Sequence, residues 1–586
     1  MKMNKIALIT ATLTLALSSA VSAETFDLVV KHQGIVKSSS TSSVDVKRAM
    51  NNALDNAQLS VLNANHSISD SGEYSFITVE ANSLDAAIRT LSQSESFSDV
   101  DANITVTTDK PLRLTYGYNV GENGLTDAPN DPEWREQKDY FAPLALGSNP
   151  YGEFYTGHDI TGVWAMFEEA ASKKTVRVGV IDGDFTKHHD INWADEGIDV
   201  YWGDIDNDPY VTDAELNDLN CGSHGNGVAS VIAAYTDNGV GIAGAGVDVE
   251  IVPGRALYCG TGDLRFADAV RWMAGDTLEG AADISEPVDV INMSLGAQVD
   301  GGCTAYVQDS INYAVERGIP VIIASGNKNM DTKDYIPSGC DNVITVGAND
   351  WAGDRAEFSN YGDTLALSAH GKEVAGYTAR ATEDEATVGI WEGTSFAAPL
   401  VTASVANVLS QVEDLDVNEI NFLLLSTTNA YRDGSTCLTD PTQCGVGTLN
   451  AKRFLEASIA YKAGELTYIR HALADGGSCV AAVVQRQLGN AVTTCDLYEV
   501  NMNAFAEEKA NVTYTMFRVA TGGELVEGGS GVETFINATS KPSQLMELSG
   551  TDLTGYDYGV KTCIDGKCSD IITVSVDATT GASCSN

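Results

Sequence analysis

The sequence is short of positive charge. It has 35 lysines and arginines against 81 aspartates and glutamates, a formal charge of −46. A surface this acidic repels phosphates and anionic headgroups, so neither a nucleic acid nor a membrane surface is an expected partner, and the charge keeps a folded chain well solvated. Long apolar runs are also missing. Beyond the N-terminus no stretch approaches the ~18 residues that a spanning helix needs, so no membrane anchor is expected. No cysteine precedes Cys221, and no internal repeat or long low-complexity tract is present, which argues against a repeat array.

The N-terminus itself carries a pattern. Lys2 and Lys5 form a basic start, Ile6 to Ala20 is apolar, and Val21-Ser22-Ala23 is a small-x-small cleavage signal. Residues 1–23 read as a secretory signal peptide cut after Ala23. The product is expected to be secreted and extracellular, with the periplasm crossed in transit. Export to an oxidising compartment makes the 11 cysteines disulfide candidates. The odd count leaves at least one unpaired within the chain, and Cys584, near the end, is the candidate.

A chain of 586 residues that is 43% apolar can bury large cores in several domains. Residues 24–110 alternate strand and helix patterns. Phe26 to Lys31, Tyr74 to Val79 and Asp101 to Val106 read as strands. Val44 to Leu62 and Ser83 to Leu91 read as helices, the second capped by Ser83 with Asp85 in its first turn. That order predicts an α+β unit of βαββαβ type. Residues 111–134 are rich in Gly, Asn, Asp and Pro and predict an exposed linker open to cleavage. Residues 135–462 hold short, β-branched, nearly continuous apolar runs: Val176–Ile181, Val288–Met293, Ile319–Ala324 and Val343–Val346. Helical stretches lie between them (Val228–Tyr235, Ala267–Ala274, Val307–Arg317). Strands apolar on both faces predict a doubly wound α/β domain on a parallel sheet. From 466 to 586 Thr, Val, Tyr and Gly alternate, which predicts an all-β, sandwich-like domain.

Peptide-bond hydrolysis by serine needs a nucleophile, a base, an acid to orient the base, and donors for the oxyanion. Ser395 sits in GTSFAAP at the start of a helical run, where the positive helix end favours negative charge. A lone serine there is more often a plain N-cap, but the seven-residue string is not plain. His224 sits among small neighbours in CGSHGNGVAS, just before a helical run, and imidazole titrates near neutrality as a general base requires. Asp182 abuts the strand VRVGVI, at the end where open α/β sheets form sites. Asp184, two residues on, is its rival. Asn327 follows the strand IPVIIASG, and its amide would serve as an oxyanion donor, although S-G-N also reads as a turn. The chain order Asp182, His224, Ser395 is that of subtilisin and not of chymotrypsin or the α/β-hydrolases.

On these strings residues 130–462 resemble the subtilisin-like serine peptidases, and most of all their secreted bacterial branch with aqualysin- and proteinase-K-like features. VGVIDGDF is similar to the family's aspartate segment, SHGNGVASVIAA to its histidine segment, and VDVINMSLG to the segment lining the primary specificity pocket. VIIASGN is similar to the oxyanion segment, GTSFAAP to the serine segment and CGVGTLNAKRFLEA to the closing segment. The resemblance implies a serine endopeptidase with Asp182, His224 and Ser395 as triad. It makes Asn327 and the Ser395 N–H the oxyanion hole. Ser294, Leu295, Gly296, Ala324, Ser325 and Gly326 would bind substrate. It further implies that 24–110 is a propeptide acting as chaperone and inhibitor, removed by self-cleavage within 108–130, its tail lying along the cleft like a substrate.

The same resemblance implies the disulfides Cys221–Cys259, bracing the base loop, and Cys303–Cys340; Cys437–Cys444 is expected to close a short hairpin, and Cys479–Cys495 and Cys563–Cys568 are the expected pairs in the tail. Catalysis is expected to need no cofactor. The alternating carboxylates Asp204, Asp206 and Asp208 leave room for structural calcium, without assigned ligands. Protein and peptide substrates and a monomeric enzyme complete the expectation. The sequence departs from the family at Gly183-Asp184, where Ser/Thr-Gly is usual. It departs at Asn226, Gly227 and Ser230, which replace Thr, His and Gly, and at Ala369-His370-Gly371, which replaces Ala-Pro-Gly. An altered triad member would favour a binding protein on a dead protease fold, and none is altered.

Overall fold

The computed structural model describes most of residues 129–462. Within that span 144–146, 150–151, 155–156, 171, 202–204, 213–214, 216–222, 300–301, 379–387, 430 and 432–434 fall outside it. It also describes 24–32, 60–65, 74–81, 83–93, 97–108, 113–115 and, beyond 466, a set of strands with a few adjoining residues. The signal-peptide stretch and residues 116–128 of the expected linker lie outside the described residues. Two compact units result, one ending at Asn103 and one running from Ile104 onward, Ser67–Asp70 excepted.

The first unit contains strands β1 (Glu24–His32), β2 (Ser60–Asn65) and β3 (Tyr74–Ala81), helix α1 (Leu84–Ser92) and strand β4 (Phe97–Ala102). The strands form an antiparallel sheet in the order β2-β3-β1-β4. Period-2 alternation places Leu28, Val30, Ile77 and Val79 on one face, where they pack with Ala87 and Leu91 of α1. Ser83 caps α1 by accepting the Ala86 N–H at 3.2 Å. The helix expected to reach Leu62 does not: Ser60 pairs with Glu80 and Val61 with Val79 in β2. The rest of that stretch lies outside the described residues.

The second unit opens with two short strands, β5 (Val106–Thr107) and β6 (Arg113–Thr115), and a helix, α2 (Ile160–Glu169). Strand β7 (Val176–Gly183) and helix α3 (His224–Ala233) follow. Next come β8 (Val249–Tyr258), β9 (Thr261–Gly262), α4 (Phe266–Met273), β10 (Val290–Met293), α5 (Ala305–Val315), β11 (Val321–Ala324), β12 (Ile344–Asn349) and β13 (Leu365–His370). Strands β14 (Val374–Tyr377) and β15 (Val388–Trp391) precede α6 (Thr394–Gln411), α7 (Val417–Ser426) and α8 (Ala451–Lys462). The main sheet runs β13-β12-β11-β10-β7-β8-β9-β5. Strands β13 through β8 are parallel, but β9 and β5 join antiparallel. The sheet is therefore mixed at one edge, a correction to the purely parallel expectation.

Helices cover both faces of the sheet. Val178 and Val180 of β7 share a core with Val228, Ala229, Phe396 and Val401 of α3 and α6. Gly179, between them, faces the other way, and a Cβ there would meet the Met273 sulfur of α4 at 2.5 Å. This is why the strand sequences are apolar on both faces. Beyond 466 the described residues are antiparallel strands. Four of them, Thr467–Ala472, Ser478–Gln487, Asp496–Asn503 and Met546–Glu547, make one sheet, and five between Val512 and Val574 make another.

Candidate active site

Asp182 lies near the carboxyl end of β7 and is fully buried. Its Oδ1 accepts the Gly183 N–H at 2.8 Å, and both oxygens lie 2.9 Å from His224 Nδ1. A carboxylate only accepts, so Nδ1 carries the hydrogen and the neutral ring keeps Nε2 as its acceptor. Of the rival aspartates it is thus Asp182 that holds the imidazole.

His224 is the first residue of α3 and is 2% exposed. Trp391 and Phe396 meet its ring edge-on, at centroid distances of 5.7 and 5.5 Å, and stack on each other at 4.8 Å. Gly227 makes room for this pair, since a Cβ there would come within 3.2 Å of both rings. The other departures nearby are tied in locally. Asn226 Oδ1 accepts the Thr186 N–H at 2.9 Å, and its Nδ2 donates to the Thr186 hydroxyl. Ser230 Oγ donates to the Gly227 carbonyl at 2.7 Å and accepts the Tyr377 N–H at 3.0 Å.

Ser395 is the second residue of α6, next to the Phe396 that touches the His224 ring. Its Oγ lies 3.3 Å from the Ser294 carbonyl. Pro399 sits inside the helix and has no N–H to give the Ser395 carbonyl four residues back. Ser294 Oγ supplies the missing donor at 2.9 Å, which anchors the first turn of α6 to the end of β10. Asn327 lies just beyond β11. Its Oδ1 accepts the Thr394 N–H at 2.9 Å and the Thr394 hydroxyl at 3.0 Å, while Thr394 Oγ1 accepts the Gly326 N–H at 3.0 Å. With the oxygen assigned by a backbone donor, Nδ2 is the donor end of the amide. Asn360, which the sequence reading missed, secures this loop. It donates to the Ser325 carbonyl at 2.8 Å and accepts the Lys328 and Met330 N–H groups.

Ser294–Gly296 and Gly260–Gly262 form two rims, and an extended segment lies between them. Thr107 exchanges both backbone hydrogen bonds with Gly296, at 2.9 and 3.2 Å, and Thr108 donates to the Gly260 carbonyl at 3.2 Å. Val106 pairs with Gly262 and is fully buried. On the other side of the serine loop, β6 pairs antiparallel with β15. Leu295, Ala324, Ser325 and Gly326 are all buried or nearly so, and the left-handed Gly326 (φ 99°) has no room for a Cβ against Asn360 and Tyr335.

Cys303–Cys340 and Cys437–Cys444 are disulfides. Cys259 is also disulfide-bonded; its expected partner Cys221 lies outside the described residues. Cys495 and Cys584 lie outside them as well, and Cys563 stands opposite Cys568 in the strand register. Among the described residues no group of three or more His, Cys, Asp or Glu is arranged to hold a metal ion. Asp206 and Asp208 cap backbone N–H groups, and Asp204 is outside the described residues.

Residues 173–448 match the subtilase family. The extracellular basic protease of Dichelobacter nodosus is 32% identical over 333 residues, which cover 52% of this chain and 52% of that protein. The chain thus spans about half the length of this relative. Subtilisin DY of Bacillus licheniformis is 31% identical over 281 residues, 47% of this chain and 89% of its own. Fervidolysin from Fervidobacterium pennivorans, described as a keratinolytic enzyme related to subtilisin, aligns with a TM-score of 0.53 at 15% identity, over 93% of this chain and 90% of its own. That last likeness is one of fold.

Proposed function

The chain belongs to the subtilase family, and from that premise we propose that it is a secreted serine endopeptidase made as a self-processed precursor. Ser395 Oγ attacks the scissile carbonyl carbon while His224 Nε2 takes its proton. Asp182 accepts from Nδ1 throughout, which fixes the tautomer and favours the imidazolium that forms. The negative oxygen of the tetrahedral intermediate takes the Ser395 N–H and the Asn327 amide as donors. His224 then protonates the leaving amine, an acyl-enzyme remains, and water releases it by the same steps in reverse. None of these steps calls on a cofactor, and any calcium would be structural. The observation that carries the reading is the 2.9 Å Asp182–His224 pair, with the Asn327 amide turned by Thr394 beside Ser395. Export is supported by relatives named as extracellular proteases. The first unit would serve as propeptide and inhibitor, the strands beyond 466 as a sandwich-like accessory domain, and the enzyme would act as a monomer on protein and peptide substrates.

Self-processing draws support from the two strands that flank Ser395. Thr107 pairs with Gly296, two residues beyond Ser294, whose carbonyl is 3.3 Å from Ser395 Oγ. Arg113 pairs with Ile390, five residues before Ser395. The cleaved bond would then lie within 108–130. Expression of the precursor beside its Ser395→Ala variant tests the whole reading. Wild type should degrade casein and yield a mature chain whose N-terminus by mass spectrometry lies within 108–130. The variant should do neither. A wild type that neither trims itself nor degrades casein sinks the peptidase reading, and equal maturation of both forms sinks self-processing.

A further inference from the structure

Asp184 is a second carboxylate at the end of β7, and the chemistry above makes no use of it. Its placement is costly. It is 2% exposed, and its backbone is left-handed (φ 58°), a region that aspartate and asparagine enter more readily than other residues with a Cβ. Burial raises its pKa to about 6 and Asp182 adds to the rise, while the Cys259 N–H, Arg255 and His224 oppose it. A buried carboxylate beside a reactive centre calls for a functional account.

Its contacts supply one. The Asp184 carbonyl accepts the Ser223 hydroxyl at 2.5 Å, and Ser223, itself left-handed (φ 55°), is the residue before His224. The Asp184 carboxylate accepts the Cys259 N–H at 2.9 Å, and Cys259 (φ 49°) is the residue before the Gly260–Gly262 rim. A single residue thus holds the base loop with its main chain and the substrate rim with its side chain. The charged groups facing it are Asp182 on its own strand, His224 from α3 and Arg255 from β8. Arg255 is already paired with Asp199 at 3.1 Å and Glu215 at 2.6 Å, so much of its charge is spent elsewhere.

We propose that Asp184 is a positioning residue: ionised, it clamps the substrate rim through Cys259 and favours the protonated form of His224, so activity answers to a second acid group besides the base. The proposal rests on the peptidase reading. The test is the pH dependence of kcat and KM on a peptide substrate for the matured wild type, Asp184→Asn and Asp184→Gly. Asparagine keeps an acceptor oxygen and tolerates the left-handed backbone but carries no charge. In wild type, log kcat/KM should fall on the acid side with a slope approaching two. In Asp184→Asn the slope should drop to one and the midpoint should move to lower pH, because the negative charge that favours imidazolium is gone. Asp184→Gly relieves the backbone but leaves the Cys259 N–H without its acceptor. KM should then rise about tenfold, with kcat changed less. A wild-type slope of one, or an unmoved midpoint in Asp184→Asn, overturns the proposal. The wild-type slope decides the matter even if a variant does not fold. A wild type with no activity at any pH would mean that the peptidase reading had failed, not this one.

Discussion

His370 offers a sharp test of how this fold tolerates acid. It ends β13 and is fully buried, its ring stacked on Tyr140 at 5.0 Å and set against Trp351 at 4.3 Å. Its backbone N–H donates to His158 Nε2 at 2.8 Å, and His158 Nδ1 donates to the Leu449 carbonyl at 3.0 Å, so His158 is also held neutral. Among the described residues neither ring nitrogen of His370 meets a hydrogen-bond partner at normal geometry; the nearest help is the backbone at Lys372. Burial first, and His158 second, push the His370 pKa down to about 3, and burial pushes His158 down to about 4. An unfolded chain binds these protons near pH 6.5, whereas the folded chain refuses them until far lower. Stability is therefore intact above about pH 6.5 and falls as pH drops toward the folded values. At pH 5 the deficit is one and a half units at ~1.4 kcal/mol each, about 2 kcal/mol per histidine. Replacing His370 with Phe keeps an aromatic ring in the same slot and removes one share. We expect Ser395→Ala/His370→Phe to be at least as stable as Ser395→Ala at pH 7, since two ring nitrogens no longer need burying. The advantage should grow by about 2 kcal/mol at pH 5. Urea unfolding at both pH values, in the Ser395→Ala background to prevent self-digestion, measures it. An advantage that is the same at pH 7 and pH 5 would refute the claim that His370 is a neutral histidine trapped by burial.

Other perturbations test separate parts of the site. Asp182→Asn should leave the fold intact and lower kcat by about 10⁴-fold, because the wrong tautomer of His224 then faces the serine; an effect confined to KM would contradict it. Asn327→Ala should lower kcat by about 10²–10³-fold with little change in KM, the range subtilisin itself shows for its oxyanion asparagine. Gly227→Ala should cost about 1–3 kcal/mol by thermal unfolding, since its Cβ would sit 3.2 Å from Trp391 and Phe396, and it should lower activity as the His224 cradle shifts. Removing the Cys303–Cys340 bridge by serine at both positions opens a loop of 37 residues and should cost about 3–4 kcal/mol in urea.

The parts legible in the sequence share one property: each is a short local string. Asp182, His224, Asn327 and Ser395 sit at the ends of strands or the starts of helices, and their neighbours in sequence are also their neighbours in space. The strands of the parallel sheet were legible for the same reason, since burial on both faces writes itself into every residue. What was missed lies between distant segments. No local pattern says that Trp391 and Phe396 fill the space left by Gly227, or that Ser294 supplies the donor that Pro399 lacks. Thr394 turning the Asn327 amide, and Asn360 securing that loop, are likewise contacts across tens of residues. The two-residue strands β5 and β9 are too short to carry any period, so the antiparallel edge of the sheet was invisible. The overrun of the first predicted helix into β2 has a similar cause: Ser60 and Val61 join a strand only because Glu80 and Val79 are there to pair with. Asp184 joins both cases. As a residue type it reads as an ordinary turn aspartate, and its meaning comes only from Ser223 and Cys259, brought to it from two other loops. The chemistry of this site was therefore written locally, while the control of its geometry was written in pairs that only the fold assembles.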